Sequence, residues 1–288
     1  MAPRVYCVTG ANKGIGYEVV RILAEHFKDQ AIVLLGTRSI ERGNAALAKM
    51  KQDNPSFEYA NVHLLEMDVS EPTSIQAAAA FVEKTYCHVH VLVNNAGVFG
   101  REVGSEMCFQ VNVFGVLNVL DAFRPLLVPN QSSNIVVASS AGAWTLRALS
   151  GQLQVIFEDF NALDIASVRS LLDDWKIAFA GKPSQFSWPA FAITNGAYGI
   201  SKMALMALIR KWALDHPDIK TTMVCPGYCI TDISYHTGFL TAAQGGEHVL
   251  FPVFHEKETI SGRFYRESKE TSFKAPRPEE YGPPVEFY

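Results

Sequence analysis

What this chain has little of sets the first bounds. Charge is sparse and has no dominant sign: 25 Lys and Arg stand against 29 Asp and Glu, for a formal net charge of −4, and no long basic run occurs. That argues against the electrostatic footprint of a nucleic-acid-binding protein. Cysteine is scarce too. Cys7, Cys87, Cys108, Cys225 and Cys229 are odd in number and include no C-x-x-C pair, so a disulfide framework is disfavoured and reduced thiols in a cytosolic protein are expected. No run approaches the ~18 continuous apolar residues of a membrane-spanning helix. No apolar segment with a cleavage site follows Met1-Ala2-Pro3-Arg4, and the final Glu-Phe-Tyr matches no lipidation or retention signal. The expectation is a cytoplasmic chain without a membrane partner. A zinc ligand set is also missing: His88 and His90 flank the start of a strand with no acid or thiol cluster beside them.

What is present is a large apolar fraction, 48% of 288 residues, enough for the core of one α/β domain. Val5–Val8, Ala31–Leu35, Val62–Met67, Val89–Val93 and Ile135–Ala138 are short, nearly continuous apolar runs, as strands covered on both faces are. Amphipathic stretches alternate with them. Ile15, Val19, Ile22, Leu23 and Phe27 share one helical face. Ser70, a candidate N-cap, and Pro72 open a second helix, and a third runs from about Ser105 to Leu127. This alternation predicts a single doubly wound parallel sheet, a Rossmann fold with helices on both faces and right-handed crossovers. Residues 151–192 interrupt it. Ile165, Val168, Leu172, Trp175 and Phe179 step by three or four, so this insertion carries a helix that needs an apolar surface to cover. A helix over Tyr198–His216, a strand over Thr221–Cys225 and a last short strand near Arg263–Tyr265 complete a domain spanning residues 1–274. The Pro-rich tail 275–288 is expected to be extended and partly mobile.

The first strand leads into Val8-Thr9-Gly10-Ala11-Asn12-Lys13-Gly14-Ile15-Gly16. Gly10 permits the tight turn, Gly14 lets backbone approach a phosphate, and Gly16 lets helix and sheet pack closely. The N–H groups opening the helix then face a pyrophosphate. An NAD site ordinarily places Asp or Glu at the end of the second strand, to bind the ribose 2′-hydroxyl. Here Gly36-Thr37-Arg38-Ser39 has no carboxylate before Glu41. Arg38 suits an adenosine 2′-phosphate instead, with Lys13 as a second cation, so NADP(H) is the expected cofactor. Otherwise both are solvated surface charges. Asp68, followed by Val69, either meets the adenine amino group or caps the next helix.

Four pieces stand in order at consecutive strand ends: Thr9–Gly16, Asn94-Asn95-Ala96-Gly97, Ser139-Ser140, and Tyr198-Gly199-Ile200-Ser201-Lys202. Together they resemble the short-chain dehydrogenase/reductase family, over roughly Val5 to Tyr265. The glycine loop with Lys13, Arg38, the long insertion and Cys225-Pro226-Gly227-Tyr228-Cys229-Ile230-Thr231-Asp232-Ile233 look most like its monomeric NADPH-dependent carbonyl reductases. The resemblance implies Tyr198 as acid/base, Lys202 as its paired lysine, Ser140 as the substrate serine with Ser139 a close competitor, and Asn112 as the helix residue that holds a proton-relay water. It implies a cofactor site of Gly10, Asn12, Lys13, Gly14, Ile15, Gly16, Arg38, Asp68, Val69, Asn95, Ala96, Gly97, Tyr198, Lys202, Pro226, Gly227 and Thr231. The preference for Ser140 rests on the match alone. The resemblance also implies a monomer, because such an insertion covers the surface by which other members assemble.

The chemistry can be argued without the family. Tyr198 and Lys202 lie four apart, on one helical face. A free phenol has a pKa of ~10, and a neighbouring ammonium lowers it. A serine hydroxyl stabilises charge developing on a carbonyl oxygen. This constellation fits reduction of aldehydes, aryl ketones or quinones to alcohols, with Ser140, Trp144, Tyr198 and Tyr228 facing the substrate. Trp144, Tyr228 and Trp188 either wall the cleft or pack in the core. Asp173-Asp174 reads as a solvated helix face. A hydroxysteroid or alcohol dehydrogenase, and a non-catalytic NADP(H) sensor, are the competing readings.

Overall fold

The short aliphatic runs become strands because helices cover both of their faces. The computed structural model describes residues 2–190 and 194–278. Its strands are β1 (Arg4–Val8), β2 (Ala31–Thr37), β3 (Val62–Glu66), β4 (Val91–Asn94), β5 (Ser133–Val137), β6 (Lys220–Cys225), β7 (Phe264–Arg266) and β8 (Lys269–Glu270). They form one sheet in the order β3-β2-β1-β4-β5-β6-β7-β8, parallel except for β8, which pairs antiparallel with β7. Alternation along β1 sends Val5 and Cys7 into one core and Tyr6 and Val8 into the other. Helices α1 (Gly14–Phe27) and α2 (Ile40–Asp53) lie on the second face. Helix α3 (Pro72–Tyr86), α4 (Gly100–Phe109) and α5 (Val116–Phe123) lie on the first. Strand order reverses between β1 and β4, and open α/β sheets as a rule bind their ligands at the carboxyl ends of the strands at such a point.

The predicted helix over Ser105–Leu127 starts earlier and is broken. Gly104 leaves helical geometry at φ 79°, and Gln110–Gly115 form a wide π turn between α4 and α5. By length and composition the run Gly100–Leu126 would be able to cross a bilayer. Here it packs into the core through Phe109, Val113, Leu117 and Leu120. Ser70 is not the cap of α3. That position falls to Glu71, with Pro72 opening the helix, while Ser70 turns back to Asp68.

Helix α6 (Ser140–Ala148) follows β5, and the insertion then contributes α7 (Gly151–Glu158) and α8 (Ile165–Phe179). Asp164 caps α8 by accepting from Ser167 N at 2.7 Å. Val168, Leu171, Leu172 and Trp175 are buried, while Ile165 and Phe179, at the ends of the predicted stripe, are exposed. Trp175 meets Phe109 at 5.5 Å, and the Arg169 guanidinium lies 3.7 Å over the Phe114 ring. The surface α8 covers is therefore the one carrying the π turn. Asp174 is not a solvated residue: it accepts from Gln185 N, Phe186 N and Trp188 Nε1. Trp188 is thus a loop anchor. Helix α9 (Ala197–Asp215) and α10 (Ala242–Val249) flank β6 in the chain. Of the tail, residues 275–278 fold back on the body, with Ala275 against the core and Arg277 over Trp144; residues 279–288 lie outside the described part.

Candidate active site

The glycine loop is fastened to the end of β4. Thr9 Oγ1 accepts from Asn95 N at 3.0 Å and Ala96 N at 2.9 Å, and Asn95 Nδ2 donates to the carbonyls of Thr9 (2.9 Å) and Gly10 (3.2 Å). Gly16 packs beneath this joint. A Cβ there would lie 2.4 Å from Asn95 Nδ2 and 2.8 Å from Gly10 O. Around Gly14 there is room, its nearest side chain being Thr231 at 3.6 Å from a notional Cβ. Helix α1 begins after Lys13 without a side-chain cap. Open space, backbone donors and the positive end of a helix fit a pyrophosphate. Ile15 packs near Gly245 on α10. Arg38 is exposed just past the end of β2. Lys13 is paired with Asp232, which His236 Nε2 also approaches at 3.2 Å. That tie links the glycine loop to the segment after β6, where Pro226 O accepts from the His248 ring at 2.8 Å. Asp68 is occupied by Ser70, whose N and Oγ donate to Oδ1 at 2.9 and 2.7 Å, so it shapes the turn into α3.

Helices α6 and α9 bring the reacting side chains together. Gly142 on α6 lies against the α9 backbone, which lets the end of β5 approach Tyr198. Ser139 caps α6, accepting from Ala141 N at 3.2 Å, and its hydroxyl is near enough to the Tyr198 phenol to favour the charged form of that phenol. Ser140, the serine expected to face the substrate, points elsewhere: its N and Oγ donate to Cys225 Sγ at 3.3 and 3.2 Å. The backbone explains the difference. Ser139 is still extended, so its neighbour projects to the opposite side and is buried against the end of β6.

Lys202 is buried, and its Nζ donates to Val137 O at 2.9 Å while standing 5.9 Å from the Tyr198 ring centroid. Burial pulls the Lys202 ammonium down to about 8. Tyr198 keeps part of its surface exposed, yet desolvation pushes the phenol up, only partly offset by the Ser139 hydroxyl. The expected lowering of the phenol is therefore not seen in this geometry, where the cost of charging a buried group is the largest influence on it. Tyr198 stays protonated at neutral pH, as a proton donor must be.

Asn112 sits in the π turn, fully buried. Its Oδ1 accepts from Val98 N and its Nδ2 donates to Val98 O, both at 2.9 Å, with a further bond to Ser201 Oγ at 3.0 Å. Ser201 Oγ in turn donates to Tyr198 O at 2.7 Å. The amide side chain is thus a tie between α9 and the segment after β4. It borders Gly97 together with Lys202 Nζ.

Trp144 on α6 and Tyr228 after β6 are both half-buried. The Tyr228 ring meets Phe239 at 5.4 Å. Phe99 went unnoticed in the sequence. Its ring lies 5.1 Å from that of Tyr198 and 6.1 Å from that of Tyr235, whose face also meets the Arg101 guanidinium. A lone aromatic two residues past Gly97 has no spacing signal that would have marked it.

Comparison with known proteins identifies the family. The family model described as short chain dehydrogenase matches residues 4–149, which hold the glycine loop and Ser139 but end before Tyr198. Matches along the rest of the chain come from whole proteins. Short-chain dehydrogenase/reductase 1 of Saponaria officinalis is 31% identical, covering 94% of this chain and 96% of its own. Carbonyl reductase (NADPH) 3 of Rattus norvegicus is 31% identical over 86% of this chain and 90% of its own. The solved structure of salutaridine reductase from Papaver somniferum superposes with a TM-score of 0.78 at 28% identity, covering 91% of this chain and 99% of that one.

Proposed function

This chain belongs to the short chain dehydrogenase family, and we propose that within it the protein is an NADPH-dependent carbonyl reductase acting on aldehydes, aryl ketones or quinones. The observation that carries the reading is the partly buried Tyr198 phenol beside the Ser139 hydroxyl, one helical turn before Lys202, whose buried Nζ is held by Val137 O.

Reduced nicotinamide, when bound, supplies hydride to the carbonyl carbon. The rest falls to the chain. Ser139 Oγ donates a hydrogen bond to the substrate oxygen and stabilises its developing charge. Tyr198 gives its proton to that oxygen, leaving a phenolate that the Lys202 charge stabilises. Asn112 keeps α9 in register with the glycine of the Asn94–Gly97 turn. Arg38, with no carboxylate at the end of β2, favours the 2′-phosphate of NADP(H), and the similarity to a rat carbonyl reductase (NADPH) points the same way. Lys13, held by Asp232, would have to exchange partners to join it.

The absence of a carboxylate at the end of β2 weighs against a hydroxysteroid or alcohol dehydrogenase, because a 2′-phosphorylated cofactor usually serves reduction. A cofactor sensor has no use for the Ser139–Tyr198 pair. The test is NADPH and NADH oxidation over a panel of carbonyl compounds, with Tyr198→Phe alongside. Turnover preferring NADPH, lost by ~100-fold or more in Tyr198→Phe with NADPH affinity intact, is expected. Cofactor binding without turnover of any carbonyl would sink the proposal. The cover laid by α8 supports a monomer as the working form, and sedimentation at micromolar concentration showing a stable dimer or tetramer would contradict it.

A further inference from the structure

Further along α9 from the reacting pair, an arginine is held by aromatic rings instead of by acids. Arg210 lies eight residues past Lys202 on that helix, about 12 Å of helix rise away. Its guanidinium stands 3.8 Å over the Phe160 ring and 4.4 Å over that of Phe273. Phe160 belongs to the insertion, between α7 and α8, and Phe273 to the chain just beyond β8. Both rings pack against the core, so two separate segments hold the guanidinium in place. Among the described residues no carboxylate or other oxygen acceptor takes a hydrogen bond from it. Burial lowers its hold on its proton; Glu158 opposes this and the Arg263 charge adds to it.

Arg210 borders a groove of about 590 Å³, whose charged lining is Arg210, Arg263 and Lys274 against Glu158 and Glu270. Both acids are already engaged. Glu158 pairs with Lys274 at 2.8 Å, and Glu270 lies 3.7 Å from Arg263. The surplus positive charge of the groove is therefore that of Arg210. Leu146 and Phe273 add apolar surface to the lining. An aromatic ring attracts a guanidinium but is a poor substitute for an oxygen acceptor, so the N–H fork keeps its capacity for hydrogen bonds. A pre-placed fork beside apolar surface matches a flat organic carboxylate, which accepts two parallel N–H bonds.

We propose that Arg210 anchors a second binding site, separate from the active site, for a small organic carboxylate with an aromatic or flat apolar body. The site goes beyond the carbonyl reductase reading and does not depend on which reaction Tyr198 performs. Its occupant and the substrate are held at different turns of one helix, which carries Tyr198, Lys202 and Arg210 alike.

The experiment is calorimetric titration of the full chain with biphenyl-4-carboxylate and with its neutral counterpart, biphenyl-4-carboxamide. The native protein is expected to bind the acid about tenfold more tightly than the amide. Arg210→Gln should remove that preference, and Arg210→Lys, which keeps the charge but not the fork, should retain part of it. Lys257→Gln, at an exposed lysine outside the groove, controls for net charge and should leave acid binding within about twofold. Because Arg210→Gln also removes two ring contacts, Glu158→Gln gives a second reading at an acid of the groove: it should tighten acid binding about threefold. No preference in the native protein, a preference that survives in folded Arg210→Gln, or unchanged acid binding in Glu158→Gln would each overturn the site. Displacement of the acid by an equal concentration of inorganic phosphate would overturn its assignment to carboxylates.

Discussion

Gly142 lies against the peptide joining Lys202 to Met203: a Cβ at Gly142 would stand 2.8 Å from Lys202 C and from Met203 N. This contact sets the distance between the serine end of α6 and the Tyr198 end of α9. Gly142→Ala is expected to force the helices apart, costing about 1–3 kcal/mol of stability as overpacking does, and to lower kcat by more than the stability loss explains. Thermal melts and steady-state rates on one preparation decide it. An alanine variant with native kcat would mean that the helix spacing does not position the acid.

The two serines should separate cleanly. Ser139→Ala is expected to reduce kcat/KM for carbonyl reduction by about 100-fold, the usual loss for one donor to a developing oxyanion. Ser140→Ala removes a bond to Cys225 and should cost about 1 kcal/mol of stability with catalysis nearly unchanged. The reverse pattern would restore the assignment that the family resemblance favoured.

On the alkaline side, the phenol of Tyr198 is pushed up and keeps its proton, whereas Lys202 sits at about 8. The group lost first as pH rises is therefore the ammonium. Reductive kcat/KM is expected to fall with a midpoint near that of Lys202, and Lys202→Arg should carry the fall to higher pH because a guanidinium keeps its charge. Initial rates from pH 6 to 10 test this; an unmoved midpoint in the arginine variant would assign the limb elsewhere.

His90 links acid stability to the start of β1. Its Nδ1 accepts from Val5 N at 2.9 Å, which requires a neutral ring, and burial, His88 and Arg4 together pull it down to about 4 from 6.5. The unfolded chain takes up the proton first, so stability conferred by the neutral ring is complete above about pH 6.5 and is lost as pH falls toward 4. His90→Asn, which keeps an acceptor but cannot titrate, should flatten the melting temperature between pH 6.5 and 4.5. An equal slope in both proteins would point to the carboxylates instead.

These residues also show what the sequence could and could not reveal. The β–α alternation, the glycine loop and the Tyr198–Lys202 spacing are local patterns, and each maps onto one element or turn. The α8 stripe was legible for the same reason. The choice between Ser139 and Ser140 was not, because it depends on where an extended strand end hands over to a helix, a matter of one residue. The sign of the Tyr198 shift depends on how much protein surrounds the hydroxyl, and spacing carries no information on that. Phe99 reaches the Tyr198 ring from a segment without periodicity, placed only by tertiary contacts.

The cover that α8 lays over Phe109 and Phe114 has a consequence for how the site survives dilution. These rings flank the turn in which Asn112 holds Val98 and Ser201. A covering surface from a second chain would be present only in proportion to how much of that chain is about. One tied to the same backbone has a local concentration set by the length of its tether. The shelter around Asn112 is therefore as complete for a single molecule as for a crowded solution.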